Sequence, residues 1–532
     1  MNNQNNSSTT KFSYFFDDFK SYWKNDAVSG FMVFLLALPL SLGIAKASGF
    51  PPAMGVLTAI IGGLVTVFFR VAPLTIKGPA AGLITISAAA MTEFGGGEKA
   101  WHIVATVVAV MAILQVITGL LKFGSLADLF PPSAVHGMLA AIGIIIILKQ
   151  IPVLLGDEPA LYSGEGPIEL FLDIPEFVLH AHWHIAVVGL VGLLILFLFP
   201  KLKFPIAKSI PAPLVVLMIA VPLSIVWHFD RTEPAYSLVQ IGDFWGSIGI
   251  QFDFSMIGSF VFWKYVFMFF FVSSLESLLT VKAIDGLDVK KRISNPNGDI
   301  IGQGAGNFVA GSLGGLPMIS EVVRSSTNVN FQAQSKWSNF FHGIFLLLAM
   351  LLIIPLIEMI PNAALAAMLI YAGYNLTSPK HYIHAYHTGR EQLVIFLVTI
   401  IVTLLEDLLL GIAAGILVKI VYELIQGVPI KAFFKNEYAS IQKGDFTQIN
   451  LKGAAVFTNL IAFKKLLEPA MKNGSVELIF SETRYIDHSF MAFVRYLERE
   501  TSEDHLKLTG LDELKASAEH PESARKLIHH QS

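Results

Sequence analysis

Gly314-Gly315-Leu316-Pro317-Met318-Ile319-Ser320-Glu321-Val322-Val323-Arg324-Ser325-Ser326 lies between two long apolar segments. Gly314, Gly315 and Pro317 disfavour a helix that runs through them, yet the hydropathy pattern puts them at membrane depth. A helix is therefore expected to begin anew near Met318, inside the bilayer. The first backbone N–H groups of such a helix have no intrahelical partners, and its dipole places about half a positive charge there. That end is built to attract an anion.

Working outward, the same character recurs at Ile76-Lys77-Gly78-Pro79-Ala80-Ala81-Gly82-Leu83, followed by a small, apolar run from Ile84 to Met91. Two Gly/Pro-interrupted segments, one in each half of a membrane chain, point to a transport site between inverted repeats. Composition agrees: at 532 residues, 54% hydrophobic and 14% charged, with mean hydropathy +0.62, the chain is polytopic. The first ten residues are polar and Lys11 to Lys24 mixes aromatic with charged residues, so the first apolar run is expected to remain as a span. Cysteine is absent, which removes disulfides, thiolate metal sites and cysteine nucleophiles together. A net charge of −3 argues against a nucleic-acid partner.

Fourteen spans are expected: 28–47, 53–70, 79–92, 101–121, 133–151, 184–199, 211–228, 259–281, 299–313, 318–330, 337–357, 361–376, 391–405 and 408–426. Lys201, Lys203, Lys208, Lys282, Lys290, Lys291, Arg292, Lys336, Lys380 and Arg390 all fall in alternate loops, which by the positive-inside rule face the cytoplasm. The opposite loops are poor in basic residues; Asp157–Glu176 and Phe229–Ser255 are acidic and hold only Arg231 between them. The expected topology is thus a cell-membrane protein with both termini cytoplasmic: residues 1–27 as a cytoplasmic N-terminus, 28–427 as the membrane part, 440–515 as a small α/β domain and 516–532 as a disordered tail. Within the α/β domain, Thr447–Phe457 and Val476–Phe480 read as strands, Asn459–Met471 and Ser489–Glu500 as helices.

Charges inside the membrane are functional by default, because even the lenient insertion scale puts one about 2.5–3.5 kcal/mol uphill at a helix centre. Glu276, Glu321 and Arg324 stand out. Glu321 and Arg324 are three apart and can pair on one helix face, either as a structural ion pair or with Glu321 restraining an arginine that adds fixed charge to the anion cavity. Glu276 lies among Leu275, Leu278 and Leu279, and is expected to take up a proton or hold a cation, with Thr280 one turn on as a further oxygen ligand for Na⁺. Pairing with Arg324 or the backbone is the alternative. Lys77 either approaches the anion or snorkels to the cytoplasmic face. His102, His136 and His342 lie near segment ends and read as interfacial. The His180-x-His182-x-His184 spacing could bind a metal, but reads as surface histidines. No triad, metal constellation or phosphate loop supports an enzyme.

These residues resemble the SulP, or sulfate permease, family of inorganic anion transporters. The resemblance rests on Asn25-Asp26-Ala27-Val28-Ser29-Gly30, Leu38-Pro39, Gly78-Pro79, Ser274-Leu275-Glu276-Ser277-Leu278-Leu279, and Gly314-Gly315-Leu316-Pro317 with Arg324-Ser325. The C-terminal unit resembles the STAS (sulfate transporter and anti-sigma factor antagonist) domain. The resemblance implies an α-helical polytopic protein of seven-plus-seven inverted repeats, with a core domain (segments 1–4 and 8–11) moving against a gate domain (5–7 and 12–14), and assembly as a homodimer. It implies substrate contacts from Pro79, Ala80 and Ala81 at one helix start and from Ile319, Ser320 and Arg324 at the other. Glu276 and Thr280 would form the Na⁺ or H⁺ coupling site, and no other cofactor is implied. Leu40 stands where many members have glutamine, which leaves Ser41 as a substitute donor, and the family's segment-three threonine has no counterpart in register, Thr85 being one position out of step. Ser489, after Asp487-His488, matches the phosphorylatable position of anti-sigma antagonists, or is a helix N-cap; a cytoplasmic partner for this domain follows from the same likeness. A nucleobase permease of related architecture, an anion channel, and a membrane anchor signalling through Ser489 are the alternatives.

Overall fold

A computed structural model describes residues 7–124, 130–157, 165–202, 210–231, 237–406, 408–435, 438–443, 446–501 and 505–527. The chain divides into two units, residues 1–124 with 142–375 and residues 125–141 with 376–532. Lys203 and Lys208, used above for orientation, lie outside the described residues.

In the membrane part, fourteen described helices follow the expected segments. They are α1 (Ser7–Ala47), α2 (Pro52–Thr66), α3 (Ile84–Glu93), α4 (Gly97–Leu120), α5 (Pro132–Leu155), α6 (Trp183–Leu198), α7 (Ala212–Val226), α8 (Phe260–Leu287), α9 (Pro296–Ser312), α10 (Val322–Asn330), α11 (Trp337–Leu352), α12 (Asn362–Leu376), α13 (Arg390–Leu405) and α14 (Leu408–Ile425). Helix α1 begins at Ser7, well before residue 28, and carries Pro39 without breaking. Its entry is fixed by Asp26, whose carboxylate accepts the Gln334 and Ser335 amides at 2.7 and 3.1 Å, so the loop between α10 and α11 is anchored to α1. Close helix approach uses missing side chains: a Cβ at Gly311 of α9 would come within 2.6 Å of the Ala109 nitrogen of α4, and one at Gly304 within 2.9 Å of the Ala112 carbonyl.

The two short helices, α3 and α10, are short because each is preceded by extended chain. Strand β1 (Lys77–Pro79) pairs antiparallel with β2 (Met318–Ser320), Lys77 opposite Ser320 and Pro79 opposite Met318. The expectation that a helix starts near Met318 is corrected here: residues 318–320 are strand, and the helix starts at Val322 with Glu321 as its cap. Pairing with β1 satisfies backbone groups that sequence reading left free for a ligand, which is why the strand wins over an earlier helical turn.

In the second unit, β3 (Tyr438–Lys443), β4 (Phe446–Ala455), β5 (Ser475–Ile486), β6 (Leu506–Thr509), β7 (Leu514–Ala516) and β8 (Arg525–Leu527) form one sheet in the order β3-β4-β5-β8-β7, with β6 parallel to β5. Alternation along β4 buries Ile449 and Leu451 against Phe463 of α15 (Leu460–Asn473) and Phe490 and Val494 of α16 (His488–Glu500). The tail from 516, expected to be disordered, instead carries β8, whose Arg525 and Lys526 pair with Ile486 and Tyr485 of β5; its last residues, 528–532, lie outside the described ones. Edge pairing of so few residues gives no composition signal.

His488 opens α16 and is buried, its Nδ1 2.7 Å from the Glu522 carbonyl. Burial pushes its imidazole down to about 4, so the folded unit resists a proton that the unfolded chain accepts. Stability is therefore present above pH 6.5 and lost as pH falls toward 4, at about 1.4 kcal/mol per pKa unit and about 3 kcal/mol in all. Hydrogen exchange of the intact protein should show the amides at the start of α16 losing protection over that window, and His488→Gln should flatten the dependence. An unchanged pH profile in the variant would put the sensitivity elsewhere.

Candidate functional site

The crossing of β1 and β2 is held by buried polar groups from four other helices. Lys77 Nζ lies 2.6 Å from Asp299 Oδ2 of α9, with both side chains fully buried, and also donates to the Ser320 hydroxyl. Asp299 accepts the Ala72 amide at 2.9 Å through its other oxygen. From α11, Asn339 accepts the Lys77 amide at 3.1 Å; from α8, Ser277 accepts the Ser320 amide at 3.0 Å. From α9, Asn307 grips Met318 at both backbone groups, 2.6 Å to its amide and 3.1 Å from its carbonyl, and Gln115 of α4 supports Asn307 at 2.9 Å. The loop before β2 is fixed by Gly314 at φ +83°, by Trp101 donating to its carbonyl at 2.7 Å, and by Thr58 accepting the Leu316 amide at 2.8 Å.

On this frame two charged groups are left over. Arg324, in the first turn of α10, is fully buried, and none of its three guanidinium nitrogens has a hydrogen-bond partner among the described residues. Its Nη1 lies so close to Gly78 that any Cβ there would overlap it. Glu276 of α8 is buried as well, with Oε1 unpartnered among the described residues, and its carboxylate sits over Gly82, where a Cβ would again collide. The turn 78–82 is thus flanked by the Arg324 guanidinium at one end and the Glu276 carboxylate at the other. A cavity of about 250 Å³ reaches Arg324, lined by Leu36, Leu40, Ala81, Glu321, Thr327 and Tyr371 among others.

Other expectations are redistributed. Glu321 does not pair with the guanidinium: its Oε2 accepts the Arg324 backbone amide at 2.7 Å, a helix cap. Ile319 and Ser320 are strand residues whose amide and hydroxyl groups belong to the β1–β2 frame, so the open amides of the second helix start fall to Val322 and Val323. Pro79 is in β1, and Ala80, buried, accepts the Leu83 amide at 3.2 Å; Ala81 lines the cavity. Leu40 also lines it, whereas Ser41 is buried without a partner for its hydroxyl and packs where a Cβ at Gly55 would meet its carbonyl. Thr280 is buried one turn from Glu276, and Thr85 Oγ1 is unpartnered. Lys77 neither snorkels nor lines the cavity. His342 is not interfacial: it is fully buried in α11, with both ring nitrogens unpartnered among the described residues. Asp299, Asn307 and Gln115 escaped sequence reading; a carboxylate and two carboxamides inside spans were the available signal. No group of three His, Asp or Glu that could hold a metal occurs among the described residues.

In the second unit, Ser489 is not the helix cap. Asp487 takes that place, accepting the Phe490 amide at 2.7 Å. Lys419 of α14, buried, donates to the Ser489 hydroxyl at 2.8 Å and pairs with Asp487 at 2.7 Å, with Glu423 at 3.7 Å. A lysine and a glutamate four apart in the last span were the unread signal for this junction.

Several known proteins are similar to this chain. The bicarbonate transporter BicA of Picosynechococcus is 24% identical over 366 residues, covering 66% of this chain and 62% of that protein. The chloroplastic sulfate transporter 4.1 of Arabidopsis thaliana is 26% identical over 396 residues, covering 71% of this chain and 55% of its own length, so the matches span about half to two thirds of these relatives. Among solved structures, the transmembrane domain of a cyanobacterial BicA superposes with a TM-score of 0.62 at 22% identity, covering 73% of this chain and 97% of that one. SLC26A9 superposes at 0.68 and 15% identity, over 92% of this chain and 84% of that one. The fold is therefore that of a helical polytopic membrane protein. The family model described as the sulfate permease family matches residues 23–399, and the chain belongs to that family.

Proposed function

We propose that this protein is a secondary active transporter of a small inorganic anion, sulfate or bicarbonate, which binds between the starts of α3 and α10. The observation that carries the reading is Arg324: a fully desolvated guanidinium without an acceptor among the described residues, at the edge of a cavity of about 250 Å³. An uncompensated buried charge costs several kcal/mol, and a bound oxyanion would supply both the missing charge and the missing acceptors in the forked geometry that arginine favours. The open amides of Val322 and Val323 and the dipoles of two converging helices add to the same potential.

With both termini in the cytoplasm, the halves of α6, α7 and α12 that line this cavity are their cytoplasmic halves, and the anion enters or leaves on that side. Net uptake needs a co-transported cation or exchange for an internal anion. Sulfate entering a cell faces about 2.3 kcal/mol per charge per 100 mV, about 4.6 kcal/mol in all. Glu276, buried beside Gly82 with Oε1 unpartnered among the described residues, is the group to hold Na⁺ or a proton with the anion, Thr280 lying on the same helix one turn away. For monovalent bicarbonate one Na⁺ makes the step electroneutral. The C-terminal unit takes a regulatory role through Ser489, whose hydroxyl is held by Lys419; its modification would need that contact to open first.

The test is uptake of radiolabelled sulfate and bicarbonate into proteoliposomes with Na⁺ and pH gradients imposed separately. Uptake of either anion, stimulated by one of the gradients, supports the reading, and uptake of neither sinks it. In the same assay Glu276→Gln should separate transport from the driving gradient, leaving exchange of anions while removing gradient-driven accumulation. Unchanged dependence on both gradients would exclude Glu276 from coupling.

A further inference from the structure

A second cavity, of about 560 Å³, is also lined by α1, α3 and α12, and lies toward the opposite ends of α3 and α12 from the first. Helix α1 faces the first cavity with Leu36, Leu40 and Ile44 and this one with Gly43 and Lys46; α3 faces the first through the turn at Ala81 and this one with Ala88, Met91 and Thr92. Helix α12 does the same, with Tyr371 and Asn375 toward the first and Asn362 and Leu365 toward the second. The second cavity is lined by two lysines, Lys46 and Lys149, and by no aspartate or glutamate among the described residues. Neither ammonium pairs with a carboxylate or donates a hydrogen bond among the described residues, whereas Lys264, also near this end of α3, is neutralised by Glu93 at 2.6 Å. The start of α4, at Gly96 and Gly97, opens on the same space without a side-chain cap, so its first amides add to the positive potential.

We propose that this cavity is an anion-binding vestibule on the outer side, in which Lys46 and Lys149 hold a small inorganic oxyanion before it passes to Arg324. This deepens the transport reading and rests on it for the passage, though not for the binding. Two fixed cations in a cleft with low-dielectric walls concentrate counter-ions and speed their capture by factors of about ten to a thousand. The vestibule therefore acts on the KM for external anion and gives it a salt dependence.

The chain contains no cysteine, so Lys46→Cys offers a single reactive thiol in the otherwise native protein. In proteoliposomes, sulfate and bicarbonate outside should each slow its modification by a membrane-impermeant, positively charged thiosulfonate. Lys46→Gln with Lys149→Gln should raise the KM for external sulfate or bicarbonate about tenfold at low salt, with the difference closing at high salt as the charges are screened. In the Lys46→Cys variant, attaching an aminoethyl group to the introduced thiol should restore the KM, and a sulfonatoethyl group should not. Lys46→Arg should also preserve it, which separates lost charge from lost fold. Modification indifferent to both anions, or a KM unchanged in the double variant, overturns the proposal. Failure of the central site alone would look different: Arg324→Ala would transport normally while the thiol introduced by Lys46→Cys remained protected by anion.

Discussion

Arg324→Ala is expected to weaken anion binding about a hundredfold or more while the protein still reaches the membrane. Removing one member of a desolvated, hydrogen-bonded charge pair costs about 2–5 kcal/mol, and each 1.4 kcal/mol is about tenfold in affinity. In the unliganded protein the effect should run the other way. Arg324 has no acceptor to lose among the described residues, so its removal deletes an uncompensated buried charge, and thermal stability should hold or rise. Arg324→Lys should recover little, because a point charge on a flexible stem does not present the planar fork that matches an oxyanion. Calorimetric titration of sulfate and bicarbonate, alongside melting curves with and without anion, reads both halves: anion-induced stabilisation present in the native protein and absent in Arg324→Ala. Native-like uptake by Arg324→Ala would remove arginine from the site.

That combination of lost ligand binding and kept stability is what a sequence could announce only in part. The positions of the broken segments were legible, because Gly and Pro at membrane depth leave few alternatives, and so were Glu276 and Arg324, since charge inside a span is costly wherever it points. What the charges do to one another was not legible. Glu321 and Arg324 have the spacing of an ion pair, but Glu321 lies one residue before the helix, where a carboxylate is drawn to the first-turn amides rather than along the helix face. Lys77 and Asp299 are 222 residues apart, and nothing local to either names the other. The strand at Met318–Ser320 was missed for the same reason: three residues have no periodicity, and their partner lies in the other half of the chain. Ser489 was legible as a position, but its contact with Lys419 joins a span to a strand end seventy residues later.

The Lys77–Asp299 pair sets the second large effect, because it decides whether the two half-helices meet at all. Both side chains are fully buried, and Ser320 of the opposite strand is bonded to Lys77. Lys77→Met should destabilise the protein by about 3–5 kcal/mol, since it leaves the Asp299 carboxylate buried without its counter-charge. The loss should show as a lowered melting temperature and poor recovery from detergent, not as a selective change in KM. Adding Asp299→Asn to Lys77→Met should restore most of the stability: the carboxamide oxygen still accepts the Ala72 amide, and no unpaired charge remains. A ligand role for Lys77 makes the opposite prediction, a single variant as stable as the native protein but unable to hold anion, and a double variant no better. The pair is thus the point at which the stability and binding predictions separate: Lys77 is neutralised within the protein and holds the crossing together, while Arg324, against Gly78, is the charge we propose the substrate neutralises.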